Sequence, residues 1–137
     1  MGFEKFGIIS LTKEAKPVDF VTYLEQGKVM ASRCVKCGQV HFPPKMDCPC
    51  CVDSEIEWVE INGNGKLLTY AVVNYGPAGF ENDAPYTLAL AEFEKGIKIF
   101  SRICKDVKDT EIKVGMEVKV VPIKLPGDRI SYEFQKA

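Results

Sequence analysis

Hydrophobic and polar positions alternate with a period of two along most of the second half of this chain. IEWVEI (56–61), KLLTYAVVNY (66–75), YTLALAEFE (86–94), IKIFSRI (97–103), EVKVVPIKL (117–125) and RISYEFQ (129–135) each read as a strand with one face buried. The connections carry turn chemistry. NGNGK (62–66) separates the first two strands, EKG (94–96) makes a hairpin turn, and PGDR (126–129) closes the last hairpin. The polar stretch KDVKDTEIKVG (105–115) is the one long interruption, with room for a helical turn. Five strands from Lys66 onward, broken after the third, match the strand arithmetic of an OB-type barrel, although a small SH3-like barrel gives similar counts.

The first half follows a different period. In PVDFVTYLEQGK (17–28), Val18, Val21 and Leu24 with Phe20 and Tyr23 lie close to helical spacing. Pro17 suits a first helical turn and Gly27 a stop, so a short amphipathic helix is expected. VMASR (29–33) then reads as a strand and VHF (40–42) as its return, with Pro43-Pro44 breaking the chain. The expected class is mostly β, with an N-terminal arm and helix (1–30), a rubredoxin-like ribbon (31–58) and a five-stranded OB-fold barrel (59–137). Trp58, at the junction, is expected to pack as a bridge between ribbon and barrel. Tyr70, Tyr75, Phe93, Phe100 and Phe134 fall in or beside strands and are expected in the core.

Between the two halves lies RCVKCGQVHFPPKMDCPCC (33–51), which holds five of the six cysteines and the only histidine. Cys34 and Cys37 form one CxxC turn, and Cys48 and Cys51 a second. Such turns aim two sulfurs at one point, and Gly38 eases the positive φ that the knuckle needs. Four thiolates in a tetrahedron make the closed arrangement of structural zinc, with no open position for water or substrate. Cys50, between Cys48 and Cys51, competes with Cys51 as the fourth ligand, but a spacing of two favours Cys51. Iron in a rubredoxin-like tetrathiolate uses the same knuckles, and a redox dithiol is a further alternative. His41 is expected to pack or face solvent, and Cys104 to be a small buried hydrophobe.

Composition narrows the function classes. The chain has 137 residues with 46% hydrophobic and 27% charged content, as a folded domain rather than a disordered one. From Glu60 onward eleven Lys and Arg face eleven Asp and Glu. A formal net charge of -1 gives no bulk attraction for polyanions. Charges come early at the N-terminus and no window approaches the roughly 18 apolar residues of a membrane span. A cytoplasmic location is the expectation, and there paired cysteines are more often metal ligands than disulfides.

The ordered set of features resembles one family. Arg33, Cys34, Cys37 and Gly38 are followed by Phe42, Pro43 and Pro44, then Cys48, Pro49, Cys51, Glu57 and Trp58. Gly63, Gly65, Pro85, Tyr86, Gly115, Met116 and Val118 complete the pattern, from about residue 18 to the end. It is similar to the zinc-ribbon/OB-fold family, long filed as a domain of unknown function, whose members accompany thiolases and hydroxymethylglutaryl-CoA synthases. Such members include the small subunit of 2-benzoylsuccinyl-CoA thiolase and the bridging protein of the archaeal acetoacetyl-CoA thiolase/synthase complex. Cys50 and the longer preamble before Phe20 depart from the pattern.

The resemblance implies a non-catalytic accessory subunit that docks on a thiolase-superfamily enzyme as a hetero-oligomer and helps shape its acyl-CoA path. The residues agree that this chain lacks thiolase machinery, because one histidine and a spare Cys104 supply no nucleophile–base pair. Candidate acyl-CoA or partner contacts are Arg33, Lys36 and Lys45 around the knuckles and Phe80 in the glycine-rich loop NYGPAGFENDAPY (74–86); a side chain folded back on the barrel is the equal alternative for Phe80, and a solvated surface charge the favoured one for each lysine alone. The alternative is a nucleic-acid-binding module, since zinc ribbons and OB barrels both serve that purpose.

Overall fold

A computed structural model describes residues 6–7, 18–80, 82 and 84–137. Pro17 and most of the expected N-terminal arm lie outside the described residues. One helix, α1 (Asp19–Glu25), buries Phe20, Val21 and Leu24 along one stripe. It stops where expected, with Gly27 at a φ of +85° that an L side chain rarely adopts.

Eight strands follow: β1 (Met30–Cys34), β2 (Val40–His41), β3 (Ile56–Glu60), β4 (Gly65–Val73), β5 (Tyr86–Glu92), β6 (Lys98–Arg102), β7 (Glu117–Leu125) and β8 (Arg129–Lys136). They form two sheets. The ribbon is three-stranded in the order β2-β1-β3, with β1 antiparallel to both neighbours. The second sheet runs β6-β5-β4-β7-β8, also antiparallel throughout. This is OB-fold connectivity, with the long interruption between β6 and β7 containing a single 3-10 turn at Asp109–Glu111.

The barrel is not closed. Its end strands meet through one parallel bridge, Ile103 to Phe134, fastened by the Cys104 amide donating to the Phe134 carbonyl at 2.8 Å. On the other side, β4 pairs with β7 only at Gly65–Val118 and Lys66–Glu117. Beyond an irregularity between Leu67 and Thr69, the remainder of β4 pairs with β5 alone. Strong twist separates such strands, and an extra residue increases the local bend.

The barrel core is built from Leu67, Ala89, Ala91, Phe93, Ile99, Val118 and Phe134. Phe93 and Phe134 stack with ring centroids 6.1 Å apart. Gly65 lies in this contact, because a Cβ there would meet the Phe93 ring at 2.7 Å. A second cluster joins Phe20, Val21 and Leu24 of α1 to Val29 and to Ile130 of β8, with Phe42, Trp58, Val120 and Tyr132 packed around it. Helix and barrel thus share one apolar cluster. Trp58 is partly buried at its edge, 5.6 Å from the Tyr23 ring, in the bridging place expected of it.

The expected aromatic core divides in two. Phe93 and Phe134 are buried, but Tyr70 is 41% exposed, Phe100 60% and Tyr75 92%. Alternation along a strand separates two faces without saying which one is covered, and β4 has lost its neighbour on one side.

Candidate metal centre

The two knuckles are built alike, offset by fourteen residues. In the first, the Cys34 amide donates to the Gln39 carbonyl at 2.9 Å and the Gly38 amide donates back to Cys34 at 2.8 Å. In the second, the Cys48 amide donates to Asp53 and the Val52 amide to Cys48, both at 2.8 Å. Each turn needs a left-handed residue after its second cysteine. Gly38 supplies φ +76°, whereas the second knuckle forces Val52 to φ +53°. Val52 is also 88% exposed, so no packing in this chain compensates the strain of a β-branched residue in that region.

The sulfurs of Cys34, Cys37, Cys48 and Cys51 all lie within 4.8 Å of one another, and those of Cys37 and Cys48 are 3.7 Å apart. A tetrahedron with Zn–S bonds of about 2.3 Å has sulfurs about 3.8 Å apart, so the donor set and its spacing fit a four-thiolate zinc site. Cys34 and Cys48 are buried, Cys51 half-buried and Cys37 exposed. Cys50 is exposed and its sulfur is not part of this group.

Ionisation within the group is uneven. The Cys51 amide, then the His41 side chain, lower the Cys48 thiol to about 6. The neighbouring Cys37 sulfur, with burial, pushes Cys51 up to about 12. Four thiolates crowd too much negative charge together without a cation, and a divalent metal removes that obstacle.

Of the other candidate residues, Arg33 pairs with Glu57, its cross-strand partner from β3. Lys36 and Lys45 are exposed, and the Lys45 amide donates to the buried Ser32 hydroxyl at 2.8 Å. Phe80 does not project outward: its ring sits 6.2 Å from Tyr86, folded back on the barrel. There it lines an apolar cavity of about 210 Å³ with Leu88, Ile123, Leu125 and Tyr132. Arg102, Ile123 and Leu125 also wall a larger cavity of about 720 Å³, which adds Lys105, Lys124 and Arg129. Sequence reading passed over these cations because they are scattered over three strands and a loop and converge only in the fold.

Cys104 departs from the expected buried hydrophobe. It is half-buried and lines the larger cavity, with its thiol 3.6 Å from an Asp106 carboxylate oxygen. The Asp106 amide pulls this thiol down, but burial and the Glu133 carboxylate outweigh it and leave the pKa above the ordinary value. That environment is the reverse of the one that activates a nucleophilic cysteine. Among the described residues, no helix is long and apolar enough to cross a membrane.

Comparison with known proteins places both halves. Residues 22–57 match the ChsH2 rubredoxin-like zinc ribbon domain, and residues 58–121 match the ChsH2 C-terminal OB-fold domain. A DUF35 domain-containing scaffold protein of Methanocaldococcus jannaschii is 41% identical over 99 residues, 70% of each chain. The benzoylsuccinyl-CoA thiolase subunit BbsA of Thauera aromatica is 31% identical over 115 residues, covering 76% of this chain and 73% of that one. In structure, the chain resembles one from the Ltp2-ChsH2(DUF35) aldolase with a TM-score of 0.76, over 92% of this chain and 98% of that one. At 23% identity, this likeness speaks for the fold alone.

Proposed function

The chain belongs to the ChsH2-type zinc-ribbon/OB-fold family, and on that premise we propose that it is the non-catalytic scaffold subunit of a thiolase-superfamily enzyme. The observation that carries this reading is the pair of matches: scaffold proteins and a thiolase subunit align with the ribbon and barrel together. In this reading Cys34, Cys37, Cys48 and Cys51 hold a structural zinc, which replaces the core that so small a ribbon lacks. Bound there, the metal supplies a cross-link between the knuckles, and the cysteines that surround it leave it closed to substrate.

Docking has a physical basis on the barrel. Leu68, Tyr70 and Val72 are exposed on β4, whose second half lacks a β7 partner, and Tyr75 follows in the adjoining loop. An apolar strand with an open edge is a liability in a free protein and an asset in a complex. The partner enzyme covers this face in a hetero-oligomer.

The acyl-CoA path of the complex passes the barrel cavities, where Lys105 and Lys124, beside the Arg102–Glu133 ion pair, suit phosphates and the apolar end near Phe80 suits an acyl or pantetheine chain. Arg33, Lys36 and Lys45 are the candidate contacts on the ribbon side. Co-purification of partners with the tagged protein from its own host tests the docking claim. Tyr70→Glu with Val72→Glu is expected to abolish co-purification while leaving the zinc content and fold intact. Undiminished co-purification would remove this face from the interface.

A further inference from the structure

The turn NGNGK (62–66), which joins the ribbon to the barrel, contains the pair Asn-Gly twice, as Asn62-Gly63 and Asn64-Gly65. This dipeptide has a chemistry of its own. Asparagine is a thermolabile residue, and a following glycine has no Cβ to keep its backbone nitrogen away from the asparagine side-chain carbonyl. Two identical pairs three bonds of loop apart would react alike in an unfolded chain.

The fold treats them differently. Asn64 is tied down: its Nδ2 donates to a Glu117 carboxylate oxygen at 3.4 Å. Gly65 after it is buried, opens β4 opposite Val118 and lies against the Phe93 ring. Asn62 is exposed, and its side chain makes no hydrogen bond among the described residues. Gly63 after it stands at φ +78°, also exposed. Only the flexible end of Glu94, at 3.4 Å, comes near the place where a Gly63 Cβ would be, so nothing rigid opposes ring closure there. The chain is fixed on either side. The Ile61 amide donates to the Val29 carbonyl at 3.0 Å, and Gly65 and Lys66 make the two pairs that hold β4 to β7.

We infer that Asn62 is a site of spontaneous deamidation at the junction of ribbon and barrel. The Gly63 backbone nitrogen attacks the Asn62 side-chain carbonyl carbon, the bond from that carbon to Nδ2 breaks, and the amide leaves as ammonia with the proton that Gly63 gives up. Water then opens the five-membered succinimide at either carbonyl. One opening gives aspartate; the other gives isoaspartate, in which the former side-chain methylene runs in the main chain. Either product places a new carboxylate among Glu60, Glu94 and Lys95. Isoaspartate also lengthens the main chain between two fixed points, and so loosens the junction.

The full-length protein is incubated in mildly alkaline buffer, and both sites are followed by peptide mapping with mass detection, which separates aspartate from isoaspartate. A second sample in denaturant gives the rates of the chain without its fold. In the folded protein Asn62 is expected to convert at least about fivefold faster than Asn64, the ratio set by breaking a hydrogen bond to a carboxylate. In denaturant the two rates are expected to converge. Equal rates in the folded protein, or a faster Asn64, would overturn the inference. So would an Asn62 left intact in the folded protein after the denatured chain has reacted. The converted protein, separated from its parent by ion exchange, is expected to unfold at a lower temperature, whereas Asn62→Asp, which adds the charge without lengthening the chain, keeps most of the parent's midpoint. A converted protein as stable as its parent would overturn the loosening of the junction.

Discussion

At the scale of single residues, the two knuckles make a controlled comparison. They share one hydrogen-bond plan, yet Gly38 meets the left-handed position without strain and Val52 does not. Replacing the strained valine by glycine removes about 1–2 kcal/mol of strain and costs about 0.5–1 kcal/mol in chain entropy, so Val52→Gly should stabilise the ribbon by roughly 0.5–1 kcal/mol. Denaturant midpoints of the zinc-loaded protein would show it, and a loss of stability would mean that Val52 has a contact worth more than its strain. Gly65 fails in the opposite sense. Its Cβ would strike Phe93, a buried ring stacked on Phe134, so Gly65→Ala should cost about 1–3 kcal/mol. The uneven thiols give a pH prediction. Cys48, lowered to about 6, is already ionised at pH 7.5, while Cys51, raised to about 12, is not. Zinc binding must displace the protons that the thiols still hold, so affinity should rise with pH. Chelator competition between pH 6 and 8 measures it; an affinity that does not change with pH would contradict thiolate ligation.

At the scale of elements, most of the fold was legible because the signals were local. The helical stripe of Phe20, Val21 and Leu24, the stop at Gly27 and the alternation along β5 through β8 depend on nearest neighbours in the chain. The paired CxxC spacing likewise brought out the four sulfurs that converge. Two features were not legible, and each depends on distant contacts. The exposure of Tyr70 and Phe100 depends on whether another strand lies over them, which alternation cannot encode. Cations from β6, β7, β8 and the loop after β6 meet only when the sheet curls. Of the two placements that the sequence left open for Phe80, the fold takes the inward one, against Tyr86. The barrel core and the joint cluster of α1 and β8 differ in how deeply their aromatic rings are buried. Phe134→Ala should cost about 3–5 kcal/mol and Trp58→Ala less, since Trp58 is only partly buried at the cluster edge. Thermal unfolding of the two variants gives the order; a larger loss for Trp58→Ala would make the ribbon–barrel junction, and not the barrel core, the principal source of stability.

At the scale of the whole molecule, a metal-stapled ribbon and an incompletely closed barrel share apolar packing through α1 and β8, and the barrel leaves an apolar strand uncovered. Such an architecture positions other groups, and Cys104 is held away from its reactive form. Removing a ligand should act on shape and not on chemistry. Cys34→Ser is expected to lose the zinc, unfold the ribbon and weaken docking together, and retained metal with unchanged unfolding would refute the structural role. The central claim is the docking itself. The most direct measurement is gentle purification of the tagged protein from its own host, with identification and quantification of what accompanies it. If the docking holds, a thiolase-superfamily enzyme arrives in stoichiometric amount. A lone chain, or one that carries nucleic acid in place of an enzyme, would contradict it.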